Sequence, residues 1–330
     1  MKNKLAINKN QTEILNMLSY YGDYVTGEEI GASLGLTRAA IWKEVDNLRA
    51  SGFEIDSIRN RGYRLLKTAS GINPATINAL LDFDVVPKLD YNFYSVSEST
   101  LNLAKEATRV PHRAPLLIVS NDQQGTRGRF GRSFFAVPDK GIYATLLLKP
   151  EVDIEEIASY TIVAGVALAK TFEKYLPKRK VEIKWVNDVF VDGKKVAGIL
   201  SEAVANVEMR TVTDIAIGFG INYTITKEEF GADLSEIVTS LFPDGNATVT
   251  REALLADFLN FFFELLKDKT YLDYHREHSF TIGKDVEFAL HGTDYKGVAV
   301  DIDSKGELIV RLEDGTTMSV SSGEVSLRKR

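Results

Sequence analysis

The fold and the function both depend on one run of eight residues, Gly125-Thr126-Arg127-Gly128-Arg129-Phe130-Gly131-Arg132. It follows residues 116–120, an apolar run with the length of a short strand. Glycine lets the backbone approach a ligand closely, and arginine carries a permanent charge on a planar fork that grips phosphate or carboxylate. The run therefore predicts a loop that closes around an anion. A flexible solvated loop, or an arginine- and glycine-rich tract that contacts RNA, fits the same residues, and the rest of the chain has to decide.

A second signal is Glu182-Ile183-Lys184-Trp185-Val186-Asn187-Asp188. On a strand, alternation places Ile183 and Trp185 on one face and Lys184 on the other. A lysine in this position is usually only solvated, and Asn187 and Asp188 by themselves fit the beginning of a turn. We expect residues 181–191 and 195–201 to form a hairpin around Asp192-Gly193, a preferred two-residue turn.

Residues 214–223 alternate between large and small side chains. Ile215, Ile217, Phe219 and Ile221 would face one way, whereas the opposite face is small at Gly218 and Gly220 and ends at Asn222. A strand with glycines on one face predicts that a ligand or another backbone lies against it.

The first 66 residues predict a winged helix-turn-helix. Thr26 and Glu29 have the spacing of a capping box, Gly35 interrupts the second helix, and Thr37 caps a third helix over 38–50. A hairpin follows, with Arg59-Asn60-Arg61-Gly62 at its tip. This arrangement presents a recognition helix to the DNA major groove, although a helical hairpin for protein contacts is the alternative. The predicted DNA contacts are Thr37, Arg38, Trp42, Lys43 and Asn47 on the helix and Arg59 and Arg61 on the wing.

The remaining chain divides into three parts. Residues 67–80 contain Gly71 and Pro74 and predict a linker that runs into a short helix. Residues 81–275 mix strands and helices, with helices predicted over 157–175 and from Thr250 to about 266. Residues 276–330 contain strand and turn patterns, with turns at 303–306 and 314–315, and predict a small β-barrel.

Composition narrows the class of protein. The chain has 330 residues, 44% hydrophobic and 26% charged, and a net charge of −6, but residues 1–68 carry +2. A basic amino-terminal region followed by an acidic remainder is typical of a nucleic-acid-binding module joined to another domain. The absence of cysteine excludes disulfides, thiol catalysis and thiolate metal sites. The amino terminus lacks a signal-peptide pattern and no apolar run has membrane-spanning length, so we expect a soluble, cytoplasmic protein without membrane partners.

Several site classes are also excluded or disfavoured. No G-x-x-x-x-G-K occurs, which excludes a P-loop, and the glycines at 218 and 220 lack the third glycine of a dinucleotide fingerprint. The histidines at 112, 275, 278 and 291 are scattered, and we predict no metal site built from them.

Taken together, the motifs resemble the biotin protein ligases. They occur in one order: Gln123-Gln124 with the glycine and arginine loop, Lys184-Trp185-Val186-Asn187-Asp188, Lys195-Val196-Ala197-Gly198-Ile199-Leu200, and Gly218-Phe219-Gly220-Ile221-Asn222. With the winged helix in front and the ending Gly323-Glu324-Val325-Ser326-Leu327-Arg328, the chain resembles the bifunctional biotin ligases and biotin operon repressors over essentially its full length.

The resemblance implies an α+β multidomain fold: a winged helix-turn-helix, a central mixed-sheet α/β catalytic domain and a C-terminal SH3-like barrel. It implies an enzyme that uses ATP and Mg²⁺ to convert biotin to biotinyl-5′-AMP. Biotin then passes to a lysine of a biotin carboxyl carrier protein, a subunit of acetyl-CoA carboxylase or another biotin-dependent carboxylase. Biotinyl-5′-AMP would also act as corepressor, promoting a homodimer that binds operator DNA.

The resemblance also implies roles for particular residues. Lys184, Arg127 and Arg129 would be catalytic, and no protein ligand to Mg²⁺ is assigned, with Asn187 and Asp188 both left open. Biotin would contact Ser99, Thr100, Gln123, Arg127, Gly128, Arg129 and Lys184. The nucleotide would contact Arg129, Arg132, Lys184, Asn187, Asn222 and Arg328.

The chain departs from the family pattern at four positions: Thr126 stands where glycine is frequent, Leu101 where a polar residue can occur, Phe134 where tryptophan is frequent and Val186 where proline is frequent. Two alternatives stay open, a metabolite-sensing repressor without ligase activity and a lipoate-type acyl ligase.

Overall fold

The computed structural model describes residues 9–68, 71–125, 128, 134–150, 152–153, 156–206, 211–268, 270–290, 293–321 and 325–327. Four predicted site residues, Arg127, Arg129, Arg132 and Arg328, lie outside the described residues, as does Thr126. Within the described part of the chain, no helix combines the length and apolar character needed to cross a membrane.

The amino-terminal region has the predicted winged helix-turn-helix architecture. Thr26 Oγ1 accepts a hydrogen bond from the backbone N–H of Glu29 at 3.1 Å, and the Glu29 carboxylate accepts from the Thr26 N–H at 2.8 Å, which completes the capping box. Gly35 ends the second helix with φ of 66°, a left-handed conformation that favours glycine. The elements are α1 Lys9–Tyr21, α2 Gly27–Leu34, α3 Arg38–Ala50, β1 Glu54–Ile58 and β2 Gly62–Lys67.

The predicted linker is packed against its neighbours rather than extended. Its second half is helix α4, Pro74–Leu80, with Ile77 fully buried. Asn73 Oδ1 accepts from the N–H of Ala75 at 2.9 Å, and the Asn73 N–H donates to the Glu252 carboxylate at 2.9 Å. Asn78 Nδ2 donates to the Ser19 carbonyl in α1 at 3.2 Å. These hydrogen bonds join the winged helix to the central region.

The central region is built on one mixed sheet with strand order β3-β4-β5-β10-β9-β8-β7, and β6 also pairs with β10. Among the described strands of this sheet, β3 pairs with β4 in parallel and the remaining strand pairings are antiparallel. The strands are β3 Asp90–Ser97, β4 Leu116–Gln123, β5 Gly141–Leu148, β6 Val152–Asp153, β7 Val181–Lys184, β8 Asp188–Val191, β9 Lys194–Asn206 and β10 Thr211–Asn222.

One element differs from the prediction. The hairpin turns at Asp192-Gly193 as expected, but its first arm is two strands, β7 and β8, separated by Trp185-Val186-Asn187. The Trp185–Val186 peptide is cis. Trp185 donates its backbone N–H to Thr281 Oγ1 at 3.0 Å and its indole N–H to the Gly306 carbonyl at 2.9 Å. These hydrogen bonds to the C-terminal region take Trp185 out of the strand ladder.

Helices cover the two faces of the sheet unequally. The large residues of β10 face two long helices, and the Phe219 ring lies 4.6 Å from that of Phe258. On the opposite face a short helix carries Leu101 into a smaller cluster with Leu116 and Leu147. Because this helix covers only part of that face, the rest is open. The helices are α5 Thr100–Ala107, α6 Ile157–Tyr175, α7 Lys227–Phe230, α8 Arg251–Asp268 and α9 Tyr271–Glu277.

The C-terminal region is a five-stranded antiparallel sheet of order β14-β13-β12-β11-β15. Both predicted turns are present, since the Gly306 N–H donates to the Asp303 carbonyl and the Gly315 N–H to the Leu312 carbonyl. Closure of this sheet into an SH3-like barrel stays a prediction. The strands are β11 Asp285–Leu290, β12 Thr293–Ile302, β13 Leu308–Leu312, β14 Thr317–Val320 and β15 Val325–Leu327.

Candidate functional site

The open face of the sheet forms the floor of a cleft of about 690 Å³. Paired residues on neighbouring antiparallel strands place their side chains on the same face. One such row crosses five strands, and its third and fourth members are glycines, so the floor there has no side chains. The row is Lys184, Asp188, Gly198, Gly220 and Tyr143.

One side of the cleft carries a polar cluster at the end of β4 and the beginning of α5. Gln123 Oε1 accepts from the Thr100 N–H at 2.7 Å, and Ser99 Oγ accepts from the Asn102 N–H at 3.4 Å. Thr145 Oγ1 donates to Thr100 Oγ1 at 2.9 Å. The sequence predicted Ser99, Thr100 and Gln123 as site residues, and the structure brings them together in the cleft lining.

An aromatic wall stands beside this cluster. The rings of Phe134 and Tyr143 meet edge to face with centroids 6.3 Å apart. The Tyr143 hydroxyl donates to the Val137 carbonyl at 3.0 Å and accepts from the Val137 N–H at 2.7 Å. Burial raises the pKa of Tyr143 to about 12, so the hydroxyl stays protonated. A methyl group added at Gly220 would lie 2.6 Å from the Phe134 ring, so the ring closes tightly over the glycine.

The other side of the cleft carries Lys184. Its neighbours Ile183 and Trp185 are buried, as the alternation predicted, while Lys184 lines the cleft. Asn187 holds the turn after it, because Asn187 Nδ2 donates to the Ile199 carbonyl at 2.9 Å and the Ile199 N–H donates to the Asn187 carbonyl at 2.8 Å. Lys184 pairs with Asp188 on β8, and the Asn187 hydrogen bonds to β9 hold the turn that joins these two residues.

Asn222 lies at the end of β10, within the cleft lining. Its Nδ2 donates to the Thr239 carbonyl at 3.0 Å. Its Oδ1 is buried and accepts no hydrogen bond within the described chain. An unsatisfied buried acceptor at a cleft is a position where a ligand donor gains a partner. Gly128, the described member of the glycine and arginine loop, also lines the cleft.

Sequence reasoning missed a second, apolar wall. It is made by the segment around the short 3-10 helix Leu234–Glu236 and by the C-terminal region. The Lys195 N–H donates to the Ile237 carbonyl at 3.0 Å, and the Thr239 N–H donates to the Lys195 carbonyl at 2.9 Å. No pattern in the sequence signals this contact between segments about forty residues apart. The missed wall residues are Phe190, Phe230, Leu234, Ile237, Val238, Phe280, Val325 and Ser326.

The residues predicted to bind DNA are all exposed to solvent on the winged helix-turn-helix. Thr37, the N-cap of α3, is exposed, as are Arg38, Trp42, Lys43 and Asn47 on the helix, and Trp42 is 58% accessible despite its size. Arg59 and Arg61 are exposed at the hairpin tip, where Arg61 lies 4.7 Å above the Tyr24 ring.

None of the three described histidines, at positions 112, 275 and 278, lines the cleft. His275 is fully buried, neither ring nitrogen has a hydrogen-bond partner within the described chain, and burial lowers its pKa to about 4. His278 instead stacks on Tyr274 and faces Glu173 at 3.2 Å. Among the described residues, no three side chains of His, Asp or Glu converge as a metal site would require.

Known proteins resemble this chain over every region. The model of the Biotin/lipoate A/B protein ligase family matches residues 93–222, the HTH domain model residues 10–64, and the Biotin protein ligase C terminal domain model residues 281–328. The "Bifunctional ligase/repressor BirA" of Bacillus spizizenii is 30% identical over 317 residues, which cover 92% of this chain and 94% of that protein. The protein of the same name from Escherichia coli is 28% identical, over 93% and 94%.

A solved structure shows the same fold. The biotin protein ligase from Aquifex aeolicus, in complex with biotin and ATP, has a TM-score of 0.60 and 23% identity. The match covers 74% of this chain and 100% of that one.

Proposed function

The chain belongs to the family of bifunctional biotin ligase/repressors, and from this premise we propose that its cleft joins biotin to ATP and delivers biotin to a carrier protein. The protein is an enzyme, a biotin–protein ligase that uses biotin and ATP, and it also carries a DNA-binding repressor domain. The observation that carries this proposal is the cleft itself. Polar groups lie at one side, a lysine lies at the other, and a floor without side chains runs between them.

Activation joins two anions. A carboxylate oxygen of biotin attacks the α-phosphorus of ATP, the bond from that phosphorus to the bridging oxygen breaks, and pyrophosphate leaves. Fixed cations lower the barrier because they offset the repulsion and stabilise the charge that grows on the phosphoryl oxygens. Lys184 lines the cleft on a strand held at both ends by hydrogen bonds. We assign Lys184 this role at the meeting point of carboxylate and phosphate.

Recognition of biotin rests on the opposite side. The ureido ring needs a few well-placed polar partners and an apolar slot. Thr100 and Gln123 are held to each other at 2.7 Å, which fixes the Gln123 amide toward the cleft. Together with Ser99 and Gly128 they form the proposed biotin contacts, while Leu101 is buried and serves as apolar lining.

The nucleotide contacts are also part of the proposal. Asn187 and Asn222 both line the cleft. Mg²⁺ would enter with ATP, because this ion is usually held by substrate phosphates and one or two carboxylates, and Asp188 lies beside Lys184 in the row. Arg127, Arg129, Arg132 and Arg328 would complete the ligand contacts and keep water from the mixed anhydride.

Transfer completes the reaction. The ε-amine of a carrier lysine attacks the acyl carbon of biotinyl-5′-AMP, AMP leaves, and an amide forms. The acceptor would be the biotin carboxyl carrier protein of acetyl-CoA carboxylase or of another biotin-dependent carboxylase.

Repression would use the same intermediate. Biotinyl-5′-AMP would stabilise a homodimer, because a ligand shifts an equilibrium toward the state that binds it better. Two winged helices would then reach two half-sites of an operator, contacted by Thr37, Arg38, Trp42, Lys43, Asn47, Arg59 and Arg61. Since DNA and carrier protein are both cytoplasmic in bacteria, we place the protein there.

Two alternatives were open from the sequence, a metabolite-sensing repressor without ligase activity and a lipoate-type acyl ligase. No observation favours either, and the relatives that match 92% and 93% of this chain are named as ligase/repressors.

A labelling experiment tests the proposal. The protein is incubated with ATP, Mg²⁺, labelled biotin and a carrier domain, beside Lys184→Ala and a carrier whose target lysine is replaced by arginine. We expect label on the wild-type carrier only, and a strong loss with Lys184→Ala. Label that depends on neither lysine would contradict the mechanism.

A further inference from the structure

The strand that carries Lys184 is held by a segment from outside the central sheet. β7 is the last strand in the sheet order, and residues 278–281, which lead from α9 toward the C-terminal sheet, lie along its outer edge. The Ile183 N–H donates to the His278 carbonyl at 2.8 Å, and the Phe280 N–H donates to the Ile183 carbonyl at 2.9 Å. Lys184 therefore lies on a strand with the C-terminal region on one side and β8 on the other.

Trp185, the next residue, is anchored to the same region by both of its N–H groups. Its backbone N–H donates to Thr281 Oγ1 at 3.0 Å, and its indole N–H donates to the Gly306 carbonyl at 2.9 Å. All three residues are buried. A buried indole N–H finds a hydrogen-bond partner, and a buried carbonyl that loses its donor is costly. The bond to Gly306 therefore favours one position of the indole ring.

The Gly306 carbonyl that accepts this bond is itself fixed in place. Gly306 ends the turn between β12 and β13 with φ of 84°, and a Cβ there would overlap Ile162 Cδ1 of α6. The turn thus packs against a helix of the central core with no room for a methyl group. Asp303 Oδ1 accepts from the N–H groups of Lys305 and Glu307 at 2.8 and 2.9 Å, which holds the turn in one conformation.

A series of contacts therefore runs from the core to the lysine proposed to act in catalysis. It begins at α6, passes through the turn that ends at Gly306 and reaches Trp185, which adjoins Lys184 in the chain. Close-packed elements transmit a displacement because they have little free volume to absorb it. Since Lys184 and Trp185 share a peptide bond, a shift of the Trp185 backbone moves the base of the Lys184 side chain.

We infer that Trp185 is a positioning residue for the reaction: its bond to the Gly306 carbonyl sets where the Lys184 ammonium lies relative to the two anions that react. The C-terminal region thereby contributes to the activation of biotin through β7. This inference rests on the proposed role of Lys184. Stabilisation of growing charge depends on groups fixed in place beforehand, and a displacement of about 1 Å can cost about 100-fold in rate.

The test uses the full-length protein with Trp185→Phe, which keeps an aromatic ring and removes the indole N–H. Thr281→Val is a second variant, because it removes the acceptor of the Trp185 backbone N–H with little change in volume. Tyr175→Phe is the matched control. It also removes one donor from an aromatic side chain, the hydrogen bond of 2.6 Å to Asp257 that joins α6 to α8, and it lies outside the cleft lining. Thermal unfolding checks that each variant is folded.

Turnover is measured by biotin-dependent exchange of pyrophosphate into ATP, and biotin affinity by titration calorimetry without ATP. We expect kcat to fall by about 10- to 100-fold in Trp185→Phe and to fall in Thr281→Val, with the Kd for biotin unchanged and Tyr175→Phe behaving as wild type. In a Lys184→Ala background Trp185→Phe should cause no further loss, because two residues that act through one group are not additive. A merely structural role would lower activity in both backgrounds.

An unchanged kcat in Trp185→Phe, a loss of the same size in the Lys184→Ala background, or an equal loss in Tyr175→Phe would overturn the inference. Wild-type protein that shows no biotin-dependent exchange would instead refute the proposed function. A crystal structure of Trp185→Phe then decides the inference without the reaction. A Lys184 Cα displaced by about 1 Å from its wild-type position supports the inference, and an unmoved Cα overturns it.

Discussion

Replacing Gly220 by alanine should weaken biotin binding without unfolding the protein. Gly220 lies in the cleft floor, and a Cβ there would be 2.6, 2.7 and 3.2 Å from three carbons of the Phe134 ring. Carbon atoms in contact prefer about 3.5–4.0 Å. The ring must therefore move by about 1 Å, away from the wall that it forms with Tyr143.

The loss of biotin affinity can be worked out from the contacts that the Phe134 ring loses when it moves. An edge-to-face aromatic pair contributes about 0.5–1.5 kcal/mol beyond its buried area, and the new methyl group also occupies space in the slot. A loss of about 1.4 kcal/mol raises a dissociation constant tenfold. We therefore expect the Kd for biotin to rise by about tenfold or more in Gly220→Ala.

Gly218→Ala provides the matched control. It lies on the same strand and face, but its Cβ would meet the Leu200 carbonyl, Leu101 Cδ1 and Thr145 Oγ1 at 3.3–3.4 Å. Such contacts need shifts of only a few tenths of an ångström, and the aromatic wall is not among them. We expect a change of less than about threefold, well under 1 kcal/mol.

Titration calorimetry with biotin measures both variants, and thermal unfolding checks that each is folded. Equal weakening in the two variants, or a larger effect for Gly218→Ala, would refute the view that the Phe134 wall shapes the biotin slot.

Three further outcomes are expected. Burial lowers the folded-state pKa of His275 to about 4, so as pH falls the unfolded chain binds a proton before the folded protein does. The free energy of unfolding should therefore fall between about pH 6.5 and pH 4, by about 1.4 kcal/mol per pH unit and about 3 kcal/mol in total. Urea unfolding should show this pH dependence flattened in His275→Leu and kept in the control His278→Gln, and parallel curves for all three proteins would contradict it. Thr26→Ala removes the capping box and should lower the free energy of unfolding by about 1 kcal/mol, a value that urea titration would contradict if it shows no loss. Arg59→Ala should weaken operator binding and reduce the slope of log K against log salt by about 1, with biotinylation unchanged; a salt slope equal to wild type would remove Arg59 from the DNA contacts.

Local signals in the sequence predicted local structure well. The capping box at Thr26, the left-handed Gly35 and the turn at Asp192-Gly193 all depend on residues within a few positions of one another. Helix α6 likewise has its predicted bounds, although residues 162–169 are all buried and its apolar positions are therefore not confined to one face.

The interruption between β7 and β8 could not be predicted in this way. Its cause is a pair of hydrogen bonds from Trp185 to Thr281 and Gly306, 96 and 121 residues away. Alternation in the sequence predicts which face of a strand a residue occupies. It does not predict a hydrogen bond to a distant acceptor that replaces the pairing within the strand ladder.

The residues of the candidate site likewise divide into those that local sequence patterns predict and those that depend on distant contacts. The motif residues Ser99, Thr100, Gln123 and Lys184 do gather in one cleft. The Lys195–Asp188 ion pair, at 2.7 Å, lies next to a register shift in the β8–β9 ladder between Val189 and Phe190, and a single sequence gives no sign of either.

The most direct measurement of the central claim is single-turnover release of pyrophosphate from ATP by the full-length protein, with biotin or lipoate as acceptor and with wild type or Lys184→Ala. We expect release with biotin and none with lipoate, and a rate lower by roughly 100-fold or more in Lys184→Ala, the range for removal of one fixed group that stabilises developing charge. Release that proceeds equally with lipoate, or at an undiminished rate without the Lys184 ammonium, would contradict it.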